Sequence, residues 1–492
     1  MAASELAERV AELIYRAQGY VPEKVGGELK QLEERLREPV RVAVVGRVKA
    51  GKSTLVNALL GQVVAPTDVS ECTKAVTWFR YGHPQRLVIR MKDGSSVESQ
   101  LGADSRLPQT LDVPIESVAH LDVYLANETL RWVTLVDTPG IGSVHEAYSS
   151  STEELLKSSK DSAAAAARAD AVVFLLNQVM MEDELTTLKS FGAKEGGDTL
   201  GSAASAVGVL TRADQLGDGS RDPWQVAVEL ADHYAGVLRH DVATVVPVIG
   251  LVAECSEAAT LTELDARNLA TLASMDEKAL RRMLWSTDRF VTAEAPVPPE
   301  ARERLLTLLD LYGVGQALGF VKAGNTGAVA LRRQLSKVSG IAAVKKTLTA
   351  YFRDQDHVLK VRSALHHLNR LSYSRSDGAP DASLTKLRSE VEALRLDPAM
   401  HPIAELEVWH DVCSAQVQMS ESQTNEMQRL FAPGSAAARL GVDATDRDAQ
   451  RAAAKDAMVR WRSFMITEAS PAQARVCRVV LRSYQLIWEG LK

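Results

Sequence analysis

The 492-residue chain has only four cysteines, Cys72, Cys255, Cys413 and Cys477, and no two of them form a CxxC pair. Their scatter excludes a zinc framework and offers no disulfide scaffold. Long apolar runs are missing as well. No uninterrupted stretch of about 18 strongly apolar residues occurs, so a transmembrane helix is not expected. The opening "MAASELAERVAELIYR" is amphipathic and acidic, unlike the basic start and apolar middle of a signal peptide. Positive charge is not in excess either: the net charge is −6, so no chain-wide field draws in nucleic acid. There is no internal repeat, no low-complexity tract beyond "SAAAAARAD" and no metal-ligand spacing among the histidines. The expectation is a cytoplasmic protein whose membrane contact, if it has any, is peripheral to the inner face of the cell membrane.

What is present is an ordinary globular composition, 46% hydrophobic and 24% charged, at a length suited to roughly two to four domains. Leu6, Val10, Leu13, Ile14 and Ala17 recur at helical spacing, and Leu29, Leu32 and Leu36 mark a second short helix. After Pro39, "VRVAVV" reads as a buried strand. Further strands are expected at 75–81, 87–91, 120–125, 132–136, 171–176, 206–210 and 244–248, alternating with helices to about residue 350. That alternation predicts an α/β head, a mostly parallel sheet with helices on both faces. From 353 to 492 the pattern is helical, broken at "YSRSDGAPDAS", "DPAMHP", "APGS" and "EASP". The expected division is N-terminal helices (1–37), an α/β domain (38–352) and a C-terminal helical bundle (353–492), one helical unit being assembled from both chain ends.

Chemistry is concentrated in three strand-end motifs. Gly46-x4-Gly51-Lys52-Ser53 matches GxxxxGK[ST], directly after a buried strand and opening a helix. Glycines let backbone N–H groups turn in around phosphate oxygens, and the helix N-terminus favours anions. Arg47, Val48, Lys49, Ala50 and Thr54 belong to the same cradle. Lys52 would bridge the β- and γ-phosphates, and the Ser53 hydroxyl would ligate Mg²⁺. In "VDTPG", Asp137 stands at a strand end, where it would hold Mg²⁺ through water, and the Gly140 amide would meet the γ-phosphate. In "GVLTRAD", Asp214 can accept two hydrogen bonds from guanine N1–H and its exocyclic amine, a donor pair that adenine lacks. Arg212 stands where GTPases usually have Lys and can lie along the base, while Thr211 supports the loop. Gly250, just beyond the strand at 244–248, is counted with the nucleotide contacts. Thr73, in "APTDVSECTKAVTWFRYG", lies where a switch threonine would ligate Mg²⁺ and sense the γ-phosphate. The cofactors expected are therefore GTP and Mg²⁺.

The order P-loop, "PTDVSECT", "DTPG", "TRAD" in a large GTPase domain flanked by helices from both termini resembles the dynamin superfamily. More narrowly, "KAGKSTLVNALLG", "APTD", "TWFRYG", "DAVVFLL", "VVPV", "STDRFV" and "AARLG" are similar to the bacterial dynamin-like proteins of actinobacteria, the isoniazid-inducible type in its shorter, IniC-like form. The resemblance runs over most of the chain. It implies a GTPase head on a helical stalk and nucleotide-dependent membrane remodelling. It also implies association through the heads, as a homodimer or with a dynamin-like paralogue. The sequence departs from the eukaryotic pattern at two places. Val48 replaces the P-loop glutamine that orients the attacking water, and Ile141 follows "DTPG", so the glutamine of Ras-type switches is absent too. Hydrolysis is therefore expected to be slow and stimulated by assembly. Lys49 replaces the serine that holds a monovalent cation in dynamins; either its ammonium supplies that charge or it faces solvent.

For the membrane, the last third of the helical region is basic, with Arg447, Arg451, Lys455, Arg460, Arg462, Arg475, Arg478 and Arg482 outnumbering the carboxylates among them. "RLFAPGSAAARLGV" (429–442) is a candidate insertion loop through Leu430, Phe431, Leu440 and Val442, unless it folds back on the bundle. "SYSRSDGAPDAS" is a second candidate, and the glycine-bearing 311–321 reads as core. Two other functions stay open. One is a hydrolysis-poor GTP-binding partner of a more active paralogue. The other is an Era-type RNA-associated GTPase, for which no KH-like basic module is found; no nucleic-acid partner is expected.

Overall fold

A computed structural model of the chain describes residues 2–66, 75–102, 104–108, 110–139, 169–178, 206–217, 221–239, 241–374, 382–413 and 417–491. Its centre is a nine-stranded sheet: β1 (Val40–Val45), β2 (Thr77–Tyr81), β3 (Arg86–Met91), β4 (Ser96–Ser99), β5 (Val118–Leu125), β6 (Val133–Asp137), β7 (Ala171–Leu176), β8 (Ala206–Leu210) and β9 (Val245–Pro247). The spatial order is β4-β3-β5-β2-β6-β1-β7-β8-β9. From β6 to β9 every pairing is parallel, and β2 runs parallel to β5. Antiparallel pairing enters at β2/β6, β3/β5 and β3/β4.

Side chains that alternate along the strands divide the interior into two cores. Val42, Val44, Val173, Leu175, Val207 and Val209 face one side. Ala43, Val45, Val172, Phe174, Leu176 and Leu210 face the other. On the first face lie α1 (Ala2–Gln18), α2 (Glu23–Arg37), α3 (Lys52–Leu60) and a set of C-terminal helices. These are α12 (Asp356–Ser372), α13 (Ala382–Arg395), α14 (His401–Cys413), α15 (Glu421–Phe431), α16 (Ala436–Leu440), α17 (Arg447–Thr467) and α18 (Pro471–Gly490). The second face is covered by α4 (Pro223–Val237), α5 (Gly250–Glu257), α6 (Glu263–Ala273), α7 (Glu277–Met283), α8 (Thr287–Thr292), α9 (Pro299–Lys322) and α10 (Ala328–Val338). Helix α11 (Ile341–Leu348) and a π-helical turn, Thr349–Arg353, lead into α12.

Both chain ends meet. Leu6, Val10, Leu13 and Ile14 of α1 and Leu29 and Leu32 of α2 are buried in the same core as Val361, Leu365 and Leu368 of α12. α1 packs on α2, α12 and α13, and α17 packs along α18. Local chemistry fixes the helix starts: the Ser470 hydroxyl and Gln473 form a capping box that opens α18. In α9, Gly313 lets the helix come close, because a Cβ there would lie 2.7 Å from Val252 Cγ2. Val314, Ala317 and Leu318 are buried as the core reading of 311–321 expects.

Two expectations need correction. The strand–helix alternation does not reach residue 350, since every described regular element between Pro247 and that point is helical. The β2 to β6 stretch holds no α-helix among its described residues, because its antiparallel pairs need no crossover. Of the two readings left open for 429–442, the segment takes the one that folds back on the bundle. Leu430 closes α15 and Leu440 closes α16, both buried, with Phe431 and Val442 packed on the same core. Finally, α9 has the length and apolar composition of a membrane span, but it is broken at Asp310 and packs Leu305, Leu309 and Val314 into the sheet core. Among the described residues Cys255, Cys413 and Cys477 are free and buried.

Candidate functional site

The strands deliver their motifs to one place. β1 ends in the P-loop, β6 in Asp137, and β8 in the turn that carries Asp214. In a parallel sheet these carboxyl ends open onto a shared crevice. A pocket of about 670 Å³ lies there, lined by Val48, Lys49, Ala50, Gly51, Lys52, Ser53, Thr54, Asp137, Thr211, Arg212, Asp214 and Gly250. That volume lies within the usual range for ligand sites. Gly46, which is buried, and Arg47 complete the loop beside it.

Gly51 has φ 90°, a left-handed conformation that glycine adopts without the Cβ penalty, and it swings the chain into α3. Lys49 also has positive φ, 60°, so its backbone carries strain within the loop. The Lys52 ammonium, buried, donates to the carbonyls of Gly46 (3.1 Å) and Arg47 (2.9 Å). Burial pulls its pKa down, and Asp137 partly offsets this. The Ser53 hydroxyl donates to Asp137 Oδ2 at 2.8 Å. Burial pushes the Asp137 carboxyl up despite Lys52 and Ser53, and its Oδ1 is buried without a hydrogen-bond partner. An orphaned carboxylate oxygen beside a serine hydroxyl is the donor set of a divalent cation held through water, so these residues fit Mg²⁺. Thr138 locks the strand end by donating to the Val44 carbonyl at 2.8 Å.

At the opposite end of the pocket, the Thr211 hydroxyl donates to the Leu176 carbonyl at 3.2 Å, tying the β8 turn to β7. The Arg212 guanidinium does not lie along an open base site. It reaches over to the P-loop and donates to the Lys49 carbonyl at 2.7 Å, bridging the base loop and the phosphate loop. Burial raises the Asp214 pKa, and the Asp310 carboxylate nearby adds to this. Val48 is 40% exposed. The Lys49 ammonium has no ion-pair partner among the described residues. Thr73, Gly140, Ile141 and His145 lie outside the described residues, as do Cys72 and 375–381 of the second loop candidate.

Two residues near the site escape sequence reasoning. Asn57, one turn beyond the P-loop lysine, is fully buried. Its amide donates to the Ala65 carbonyl (2.9 Å) and Glu254 (2.6 Å), and its carbonyl accepts from Val64 N–H (3.0 Å) and Ala65 N–H (2.9 Å). It pins the chain that leaves α3 towards Thr73. Asp310 interrupts α9 with φ 54° and ψ 178°, and its carboxylate accepts from Gln215 at 3.4 Å. Neither residue carries a motif signal; only its three-dimensional partners reveal it.

Fold and pocket define a P-loop nucleotide-binding protein. Residues 42–201 match the Dynamin family. The isoniazid-induced protein IniC of Mycobacterium tuberculosis is 33% identical over 465 residues, 93% of this chain and 91% of that protein. Dynamin-like protein 2 of Campylobacter jejuni is 30% identical over 130 residues, 26% of this chain and 21% of that one. A solved structure of an oligomerised bacterial dynamin pair, described as a mechanism for long-range sensing and tethering of membranes, covers 98% of this chain and 90% of that chain. Its identity to this chain is 14% and the TM-score 0.34. The chain belongs to the dynamin family of GTPases, with IniC as a relative along nearly its whole length.

Proposed function

We propose that this protein binds GTP with Mg²⁺, hydrolyses it slowly, and couples the nucleotide state to head-to-head association on an anionic membrane. The observation that carries the reading is the single pocket joining Lys52, Ser53 and Asp137 at one end to Asp214 at the other. Asp214 would select guanine through N1–H and the exocyclic amine. With nucleotide bound, the Lys52 ammonium would turn from the Gly46 and Arg47 carbonyls to the phosphates, and Ser53 and Asp137 would hold the cation. Bound Mg²⁺ would neutralise charge on the β- and γ-phosphate oxygens. Thr73 and Gly140 would close over the γ-phosphate.

Val48 supports the slow rate, because its side chain has no group to orient a water. Buried between two heads, the nucleotide would gain that order from the partner, a second copy or a paralogue. Residues 38–352 would form the head, and 1–37 with 353–492 the stalk, jointed at the π-helical turn Thr349–Arg353. For the membrane we look to the outer face of α17 rather than to 429–442. Val459 and Ile466 are 63% and 73% exposed there, with Lys455 and Arg462 exposed on the same stripe. Each such cation near an anionic leaflet contributes about 1 kcal/mol.

The test is GTP turnover with and without anionic liposomes, with liposome pelleting, alone and with a dynamin-like paralogue. Liposome-stimulated turnover supports the reading. Tight GTP binding without turnover under any condition supports the second reading, a structural partner, which the exposed Val48 also favours. Co-purifying ribosomal RNA with no lipid binding would overturn both.

A further inference from the structure

Helix α9 breaks at Asp310, where φ 54° and ψ 178° fall in a region open essentially to glycine. Neither glycine nor proline stands there: the stretch reads "TLLDLYG", and Gly313 follows three positions later. Close packing holds the chain on both sides of the break. Leu309 before it and Val314 after it are buried in the core of the second face. At Gly313 the helix comes so near α5 that a Cβ would lie 2.7 Å from Val252 Cγ2. The side chain answers part of the cost, because Asp310 Oδ1 accepts from the Leu311 N–H at 2.6 Å.

Around the break, α9 meets the surroundings of Asp214 at three side chains. Thr307, one turn earlier, lines the nucleotide pocket itself. Gln215, next to Asp214 in the turn Ala213–Gln215, lines the pocket too and donates to Asp310 Oδ2 at 3.4 Å. The Tyr312 hydroxyl donates at 3.3 Å to Asp222, which caps α4, the next helix in the chain. The Asp310 carboxylate is near enough to be felt at Asp214, whose pKa burial raises and Asp310 raises further. Backbone strain of this kind persists where surrounding contacts over-determine it, and it gathers at ligand clamps. What the break adds beyond capping its own helix is the contact with Gln215.

On the reading of Asp214 as the guanine acceptor, we infer that Asp310 is a positioning residue for base selection. Through Gln215 it fixes the turn Ala213–Gln215, so that both oxygens of the Asp214 carboxylate face the edge of the base. Guanine offers that edge two donors, N1–H and the exocyclic amine, whereas hypoxanthine offers N1–H alone. A turn free to rotate leaves Asp214 one good hydrogen bond but not two aligned ones, since hydrogen bonds weaken steeply as they bend. The loss falls on the second bond, and so on guanine more than on hypoxanthine. The strain at Asp310 is then a stability cost retained for selectivity.

Competition of GTP and ITP against a fluorescent GTP analogue tests it in the full chain, because the ratio of the two affinities reads the second bond. The expected result is a GTP/ITP preference that narrows about threefold or more in Asp310→Gly, with GTP losing more than ITP. The melting temperature of that variant should not fall, since glycine relieves the strain. Gln215→Ala cuts the same bond from the pocket side without altering α9, and it should narrow the ratio by a similar factor. Asp310→Asn keeps the acceptor and should keep most of the wild-type ratio. A wild-type ratio in Asp310→Gly or in Gln215→Ala, or GTP and ITP weakened by the same factor, would overturn the inference. So would a ratio in Asp310→Asn as narrow as in Asp310→Gly. Should Asp310→Gly fail to fold, Gln215→Ala decides by the same criterion. The parent reading fails differently. A wild-type chain that does not distinguish GTP from ATP refutes guanine selection by Asp214 and this inference with it, whereas a wild-type preference for GTP with unchanged ratios in the variants refutes the role of Asp310 alone.

Discussion

Replacing Asn57 by alanine should damage both stability and nucleotide binding. Asn57 is fully buried and makes four short hydrogen bonds, to Val64 N–H, to Ala65 N–H and C=O, and to the Glu254 carboxyl. Removing its amide leaves those four groups unpaired in a region where water has little access. Each unsatisfied buried group costs about 1–3 kcal/mol, and partial relaxation reduces the sum, so about 3–5 kcal/mol is expected. Glu254 suffers twice. Burial already raises its pKa, and the Asn57 hydrogen bond is the first influence that lowers it. Asn57→Asp keeps the size but loses the donor and faces Glu254 with a second carboxylate, so it should be at least as damaging. Urea unfolding followed by tryptophan fluorescence measures the loss. Ala65 and Pro66 line the nucleotide pocket, so fluorescent GTP-analogue affinity should fall as well. A loss under about 1 kcal/mol for Asn57→Ala, with unchanged affinity, would refute the assignment of this side chain as the pin of the segment leading to Thr73.

Other perturbations follow from the same geometry. Arg212→Ala removes the 2.7 Å bridge to the Lys49 carbonyl and should weaken GTP binding about tenfold. Arg212→Lys should recover part of that loss in the same equilibrium titration. Val48→Gln restores a water-orienting group and should raise single-turnover hydrolysis without changing GTP affinity. Lys49→Ala should slow hydrolysis and make it respond to added potassium; a rate and potassium response equal to wild type would remove Lys49 from catalysis. His410 makes stability pH-dependent. Its folded pKa, about 4, lies below the usual 6.5, so the neutral ring favours the fold. That contribution is present above about 6.5 and is lost as pH falls towards 4, on the order of 2 kcal/mol in all. Unfolding free energy measured from pH 7.5 to 4.5 should show this slope in the wild-type chain and less of it in His410→Gln.

Legibility in the sequence followed locality. Ala171–Leu176 and Ala206–Leu210 are read to the residue because buried parallel strands are continuous apolar runs. The P-loop, DTPG and TRAD segments are legible because each places its chemistry within a few residues of a strand end. What depends on distant partners is not legible. β4 is an exposed edge strand, "SVES", with a single apolar side chain, and gives no strand pattern. The switch to antiparallel pairing at β2/β6 depends on which strands meet, which periodicity does not encode. The reach of Arg212 to Lys49 spans 163 positions in sequence. Asp310 breaks a helix that composition alone reads as continuous. The apolar residues of 429–442 were ambiguous because hydrophobicity alone does not distinguish a lipid-facing side chain from one buried against α14 and α17.

The central claim is that the pocket selects guanine through Asp214 while Lys52, Ser53 and Asp137 hold the phosphates and Mg²⁺. Competition of GTP, ATP and XTP against a fluorescent GTP analogue, with and without Mg²⁺, tests it in the wild-type chain and in Asp214→Asn. The account predicts GTP preferred over ATP by about 100-fold or more, strengthened by Mg²⁺, and a shift of Asp214→Asn towards XTP, whose C2 carbonyl accepts where guanine donates. Equal competition by ATP in the wild-type chain, or an unchanged order of preference in Asp214→Asn, would contradict it.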